Sequence, residues 1–276
     1  MKYLIAVDME GVHGVEGVKY TGQSPYYAIA KDSTEYAKAV VSATDEVNTV
    51  SRALFDNGAE KVYLWDNHGG RDNLYMELVD SRVEKVDPPK EMATRLNFLA
   101  DINVDGIIFI GYHSRAGSIN GILCHTYNGL EIQYIKIDGK QVGELDIDSM
   151  IASVFGVPAI FCASDDVCLK QVKEYDARIT TVQTKTGKGR TSAIFRPTEV
   201  VLSEIYDGVK KAMANRYPPI ERKFPLRLEK RFTKMELAAY YYELNKERFG
   251  ERLCFGDDAN TLCATVNDID ELRALV

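Results

Sequence analysis

Histidine is scarce in this 276-residue chain, with four in all, and none of the five cysteines falls in a C-x-x-C pair. Scattered thiols in an odd number (Cys124, Cys162, Cys168, Cys254, Cys263) give no disulfide framework and no zinc-finger spacing. They predict reduced cysteines and a cytoplasmic setting. Positive charge is also short. Lys and Arg total 34 against 41 Asp and Glu, a net charge of −7, which argues against nucleic acid as the main partner because phosphate binding needs a basic face. Long apolar runs are missing too. Stretches such as 3–7 and 106–110 fall far short of the ~20 residues that span a bilayer, so no membrane partner is expected. Only five apolar residues separate Lys2 from Asp8, too few for the hydrophobic region of a signal peptide. A chain of this length makes one large or two smaller domains at roughly 150 residues each. Burying about 75% of its unfolded surface, it needs no staple to fold.

What is present is an alternation of short apolar runs with helical patterns. Residues 3–7, 61–65, 83–86 and 106–110 read as strands. Residues 34–57 carry Ala39, Val40, Ala43, Val47, Val50, Ala53 and Leu54 at helical spacing, and Gly58 stands at the left-handed cap position. A further helix is predicted over 91–100. Strands separated by helices imply parallel βαβ units, so the fold class expected is α/β, a three-layer open and mostly parallel sheet. Residues 131–137 alternate before Asp138-Gly139, a tight-hairpin dipeptide, and 145–154 reads as a helix. Strands at 158–162 and 179–183 and a helix at 198–215 follow. Around Pro218-Pro219 and Pro225 the composition shifts. The expected organisation is a catalytic domain over 1–217 and a smaller C-terminal α+β region over 218–276, closing on a helix capped by Asp268.

Ligands of open α/β sheets bind beyond the carboxyl ends of the strands, and the rare ionisable residues fall there. Asp8 and Glu10 follow the first strand, Asp66 and His68 the second, and His113 the fourth. His125 lies further on, and Glu144 opens a helix after the hairpin. Each alone also fits a capping Asp or a satisfied polar loop residue. Together, adjacent carboxylates need a cation to offset their repulsion, and mixed imidazole and carboxylate donors suit zinc or a similar divalent ion. Asp8, Glu10 and Glu144 bring −3; one divalent ion leaves −1, and two leave +1, able to polarise a carbonyl.

These motifs resemble a known family. Val7-Asp8-Met9-Glu10-Gly11, Asp66-Asn67-His68, Gly111-Tyr112-His113-Ser114-Arg115-Ala116, Cys124-His125 and Val142-Gly143-Glu144-Leu145 are similar, in order and spacing, to blocks of the DppA-type D-aminopeptidase family of zinc metallopeptidases. The likeness runs to about Ser192. Asn67 replaces a familiar Ser, the segment from His113 to His125 is one residue longer, and His13 has no counterpart. The resemblance implies two zinc ions per chain held by Asp8, Glu10, His68, His113 and Glu144, with Asp8 bridging. It makes His125 the catalytic residue, as nucleophile or general base, and puts Lys185 and Arg190 at substrate-binding positions. It also implies a homo-oligomer, on the pattern of a ring-based decamer, that admits short peptides.

Competing motifs fail. Gly187-Lys188-Gly189-Arg190-Thr191 lacks phosphate-loop spacing, and neither an H-E-x-x-H helix nor a G-x-S-x-G elbow is present. Asp165-Asp166 reads as a helix cap, and Tyr240-Tyr241-Tyr242 as packing or a subunit interface. The leading expectation is a di-zinc aminopeptidase acting on short peptides or amino-acid amides, with the D preference implied by the family alone. The alternatives are another di-metal amidohydrolase or phosphoesterase, or a peptide-binding subunit without turnover.

Overall fold

Alternation along the first strand sets the architecture. The computed structural model describes residues 1–22, 33–89 and 91–276. In chain order its main elements are β1 (Lys2–Val7), α1 (Thr34–Asp56), β2 (Lys61–Asp66), β3 (Val83–Lys85), α2 (Leu99–Ile102), β4 (Gly106–Ile110), β5 (Ile132–Ile137), β6 (Lys140–Val142) and α3 (Glu144–Val154). There follow β7 (Ala159–Asp165), α4 (Asp166–Tyr175), β8 (Thr180–Gly189), β9 (Ser192–Phe195), α5 (Thr198–Ala214), β10 (Leu226–Phe232), α6 (Met235–Phe249), β11 (Leu253–Phe255), β12 (Thr261–Val266) and α7 (Ile269–Leu275). Tyr3, Ile5 and Val7 point into a core shared with α1 and α5. Leu4 and Ala6 point into another, shared with α3, α4 and the second sheet. Both faces of the strand are therefore apolar, as a parallel sheet covered on both sides requires.

The main sheet has seven strands in the order β3-β2-β1-β4-β7-β8-β9. All neighbours are parallel except the antiparallel pair β8–β9. The chain winds outward from β1 through β2 to β3, then crosses to β4 on the other side of β1. The gap between the carboxyl ends of β1 and β4 is thus a topological switch point, where such sheets bind ligands. Central-strand side chains such as Leu4, Ile5, Ile107 and Ile108 are fully buried. At about 1.5–3 kcal/mol each, their burial holds the strands bearing the site more firmly than any local contact.

The second sheet is antiparallel, ordered β11-β12-β10-β5-β6. Its β5–β6 hairpin turns on Asp138 (φ 50°) and Gly139 (φ 78°), as that dipeptide predicts. Two of its five strands come from 132–142, so the smaller layer joins the C-terminal segment to the middle of the chain. The break expected at 217/218 falls in the connection between α5 and β10.

The helix expected over 91–100 does not form. Only a 3₁₀ turn, Met92–Thr94, and the four-residue α2 are present. Between them Arg95 adopts ψ 125° and Leu96 a φ of 61°, which buries both side chains. Tertiary burial overrides the local helical pattern. The expected caps do form: Asp165 accepts from the Cys168 amide and Asp268 from that of Glu271.

Candidate metal centre

Two glycines bring the loops after β1 and β4 into backbone contact. The Gly11 amide donates to the Gly111 carbonyl at 2.7 Å. A Cβ at Gly11 would fall on the Tyr112 carbonyl oxygen, and one at Gly111 (φ 71°) on that of Asp8. From β8, Thr184 Oγ1 donates to the Gly11 carbonyl at 2.7 Å. Lys185 Nζ donates to the carbonyls of Glu10, Val12 and Val15, each at 2.6 Å. Asp8 and Glu10 thus stand on a loop locked from both sides.

The side chains converge. His68 Nδ1 lies 2.8 Å from Asp8 Oδ1 and 3.4 Å from Glu10 Oε2. His113 Nε2 lies 3.5 Å from Asp8 Oδ2 and 3.2 Å from Glu144 Oε1. His125 Nε2 is 3.7 Å from Glu144 Oε1, and its ring stacks on that of His113 with centroids 3.9 Å apart. Asp8 therefore offers one oxygen to each of two imidazoles. Glu144 is the first residue of α3, where the helix dipole favours a carboxylate, and its Oε1 also accepts the Tyr127 amide at 2.8 Å. Asp8, Glu10, His68, His113 and Glu144 are all buried, and His125 half-buried.

Hydrogen bonding fixes which ring nitrogens face the centre. His68 Nε2 contacts the Thr21 carbonyl at 2.9 Å, His113 Nδ1 that of Ser114 at 3.1 Å, and His125 Nδ1 that of Leu123 at 2.8 Å. A carbonyl only accepts, so each of these nitrogens carries the proton. In the neutral rings the opposite nitrogens aim lone pairs at carboxylate oxygens, which repels unless a proton or cation lies between. Burial works to discharge His113, yet the charges of Glu144, Glu10 and Asp8 raise it to about 10. His68 is likewise driven down by burial and, more strongly, up by Glu10 and Asp8, ending well above its ordinary value. Burial and the neighbouring Glu10 push Asp8 up to about 7. Glu144, raised by burial, is brought down to about 2 by His113. Burial and the His113 charge lower His125.

The donor set fits divalent ions. Two donors on one tetrahedral zinc, with bonds of about 2.0–2.1 Å, stand about 3.3 Å apart, and three of the contacts above measure 3.2–3.5 Å. Glu10 Oε2 and His113 Nε2 are buried without a hydrogen-bond partner among the described residues. Two candidate ligand groups, Asp8–Glu10–His113 and His113–His125–Glu144, share His113.

Four other residues singled out in the sequence stand outside this side-chain cluster. Lys185 is fully buried and its three N–H bonds go to backbone carbonyls, so it keeps no donor for a substrate. Arg190 is exposed, and its Nη1 donates to the Cys124 carbonyl at 2.5 Å, tying the β8–β9 turn to the loop that carries His125. Asp66 accepts the amides of His68 (3.2 Å) and Asn73 (2.7 Å) and shapes its loop rather than touching an imidazole. His13 donates from its backbone amide and Nδ1 to buried Glu46, each at 2.8 Å. Sequence reasoning passed over Arg95 and Asp148, although Asp148 lies one helical turn beyond Glu144.

The protein is thus of the α/β class, with a buried carboxylate–imidazole cluster at its switch point that could hold a metal ion. The D-aminopeptidase family model matches residues 1–253, and the chain belongs to that family. It is 26% identical over 192 residues to the D-aminopeptidase of Bacillus subtilis (strain 168), an alignment covering 70% of this chain and 66% of that protein, just under two thirds of its length. Its fold matches the Zn-dependent D-aminopeptidase DppA from Bacillus subtilis, a self-compartmentalizing protease, with a TM-score of 0.86. That match has 20% identity and covers 100% of this chain and 95% of the other. No described helix is long and apolar enough to cross a membrane.

Proposed function

We propose that this chain is a zinc aminopeptidase that releases the N-terminal residue, of D configuration, from short peptides or amino-acid amides. The observation that carries the reading is the set of imidazoles whose outer N–H groups are spent on carbonyls while their inner nitrogens face Asp8, Glu10 and Glu144. Asp8, Glu10, His68, His113 and Glu144 would hold two zinc ions. When bound, the ions supply Lewis acidity toward the scissile carbonyl. The D preference is supported by family membership and by the relative's name.

The chain's own groups do the remaining work. His125, kept neutral by burial and by His113, holds a lone pair at Nε2. That atom takes a proton from the water that adds to the scissile carbonyl and gives it to the amine that leaves as the C–N bond breaks. The Leu123 carbonyl fixes the ring's tautomer, and stacking on His113 fixes its plane. Leu123 (φ 48°) and Tyr127 (φ 56°) bracket His125 in the left-handed region, the kind of backbone cost that persists where a side chain must be held.

We further propose assembly into a homo-oligomer, on the pattern of a ring-based decamer, in the cytoplasm. Ile194 and Phe195 stand exposed on β9, the edge strand of the main sheet, and the structural relative is described as self-compartmentalizing. Light scattering on purified protein would give the mass, and a monomer would overturn this part.

The central test combines metal and substrate. Chelator-stripped protein is reconstituted with zinc and assayed on paired D- and L-alanine amides. Two zinc ions per chain with faster D turnover are expected. Fewer than about one ion per chain would overturn the metal centre, and faster L turnover the stereochemical reading. His125→Ala should keep its zinc and lose about 10²–10⁴ in kcat.

A further inference from the structure

Beside the candidate centre lies a second buried ionic group that the proposed reaction does not use. Arg95 Nε and Nη2 donate to Asp148 Oδ1 and Oδ2 at 2.5 and 2.7 Å. Tyr112 Oη donates to Asp148 Oδ2 at 2.8 Å, and Asn67 Nδ2 to Tyr112 Oη at 3.2 Å. The guanidinium lies between two aromatic faces, with its carbon 4.9 Å from the Trp65 centroid and 5.2 Å from that of Tyr127. Asp148 is fully buried and Arg95 nearly so.

Every member of this group lies on a segment that also carries a site residue. Asp148 is one turn along α3 from Glu144, on the same helix face. Tyr112 precedes His113. Tyr127 donates its amide to Glu144 and sits two residues after His125. Trp65 and Asn67 lie on the segment that ends in His68. The clamp therefore joins, through one side chain, the carriers of four site residues that arrive from β2, β4, the following loop and α3. Stability alone does not call for it, since well-packed apolar residues of similar volume hold a core as well as a buried ion pair does. The chain also gives up a helix at 91–100 to place this side chain.

We infer that Arg95, anchored by Asp148 and Tyr112, is a positioning residue that sets the spacing of His68, His113 and Glu144 and so tunes metal affinity. The inference rests on the reading of the cluster as a zinc centre. Direct hydrogen-bond partners of a metal ligand are worth 10–100-fold in affinity, and Arg95 acts on the ligands one step further back, through Asp148, Tyr112 and Tyr127.

The test uses Arg95→Met/Asp148→Leu, which removes both charges together and strands neither. Zinc dissociation constants are measured by chelator competition beside thermal unfolding, kcat and KM. A Kd for zinc raised 10–100-fold, with the melting temperature near wild type and a loss falling on kcat rather than KM, supports the inference. Wild-type zinc affinity and kcat in this variant overturn it while leaving the metal centre standing. A wild-type protein that takes up no zinc overturns both. Should the double variant not fold, Tyr112→Phe removes one hydroxyl only: a severalfold weaker zinc affinity supports the clamp, and an unchanged one overturns it.

Discussion

Two buried ionic clusters sit side by side in this protein, and they are built on opposite accounts of charge. Around Asp148, one carboxylate meets one guanidinium and a tyrosine hydroxyl, and both oxygens receive donors at 2.5–2.8 Å. Around Asp8, three carboxylates meet imidazoles whose outer N–H groups are already given to backbone carbonyls, and Glu10 Oε2 and His113 Nε2 are left without a hydrogen-bond partner among the described residues. Burial is alike in both, so burial does not distinguish them. Satisfaction does. A closed pair is complete as folded, whereas an open cluster with more carboxylates than cationic partners is arranged for a cation from outside.

The sharpest way to break the comparison is to remove a donor from the open cluster. His113 belongs to both candidate ligand groups, so His113→Ala should abolish stoichiometric zinc binding and measurable amide hydrolysis while the protein stays folded. Metal analysis and circular dichroism check this together. Retained zinc would mean the cluster is not the centre. In the closed cluster the same kind of cut acts on stability. Arg95→Met leaves Asp148 buried without its cation, expected to cost about 3–5 kcal/mol in denaturant unfolding. A cost near zero would show that the pair is not closed as described.

Asp8→Asn should then act with the opposite sign in the metal-free protein. Burial and Glu10 raise Asp8 from its ordinary value to about 7. A carboxylate with a raised folded pKa binds its proton more tightly folded than unfolded. The metal-free wild type should therefore lose stability as pH climbs from about 4 toward 7. The Asn variant lacks that slope and should be more stable at pH 7 by up to about 4 kcal/mol, while zinc affinity falls. A destabilised metal-free variant would show that the open cluster is already balanced.

The legible part of the candidate site was the part on regular structure. Asp8, Glu10, His68 and His113 follow the strands β1, β2 and β4, whose apolar runs announce themselves, and strand ends are where such sheets bind ligands. Glu144 could be read because a hairpin dipeptide and a helix start bracket it. His125 stands in an irregular loop with no periodicity to place it, and only the family resemblance singled it out. Lys185 was misjudged because its acceptors, the carbonyls of Glu10, Val12 and Val15, lie some 170 positions away in sequence. No local pattern reveals that a lysine is spent on backbone. Arg95 was hidden inside a helical pattern that tertiary burial overrides, and Asp148 passed as an ordinary polar position on an amphipathic helix. The β5–β6 hairpin was read correctly as local structure, but nothing in its sequence says that it pairs with β10.

The subtlest difference between the clusters is in protons. With His113 at about 10 and His68 well above its ordinary value, both imidazoles of the metal-free cluster are protonated at pH 7. A cation entering must displace what it replaces, because a ligating imidazole is neutral. Zinc uptake at pH 7 should therefore release about two protons per chain from the imidazoles and part of a third from Asp8. Calorimetric titrations in buffers of different ionisation enthalpy count them, and apparent affinity should fall as pH drops. Arg95→Met/Asp148→Leu supplies the contrast: both Asp148 oxygens are taken by donors from Arg95 and Tyr112, so the variant should bind zinc more weakly yet release the same number. A changed count would mean the two clusters share a proton, and the boundary between them would have to be redrawn around Tyr112, whose hydroxyl joins Asp148 to the strand end that carries His113.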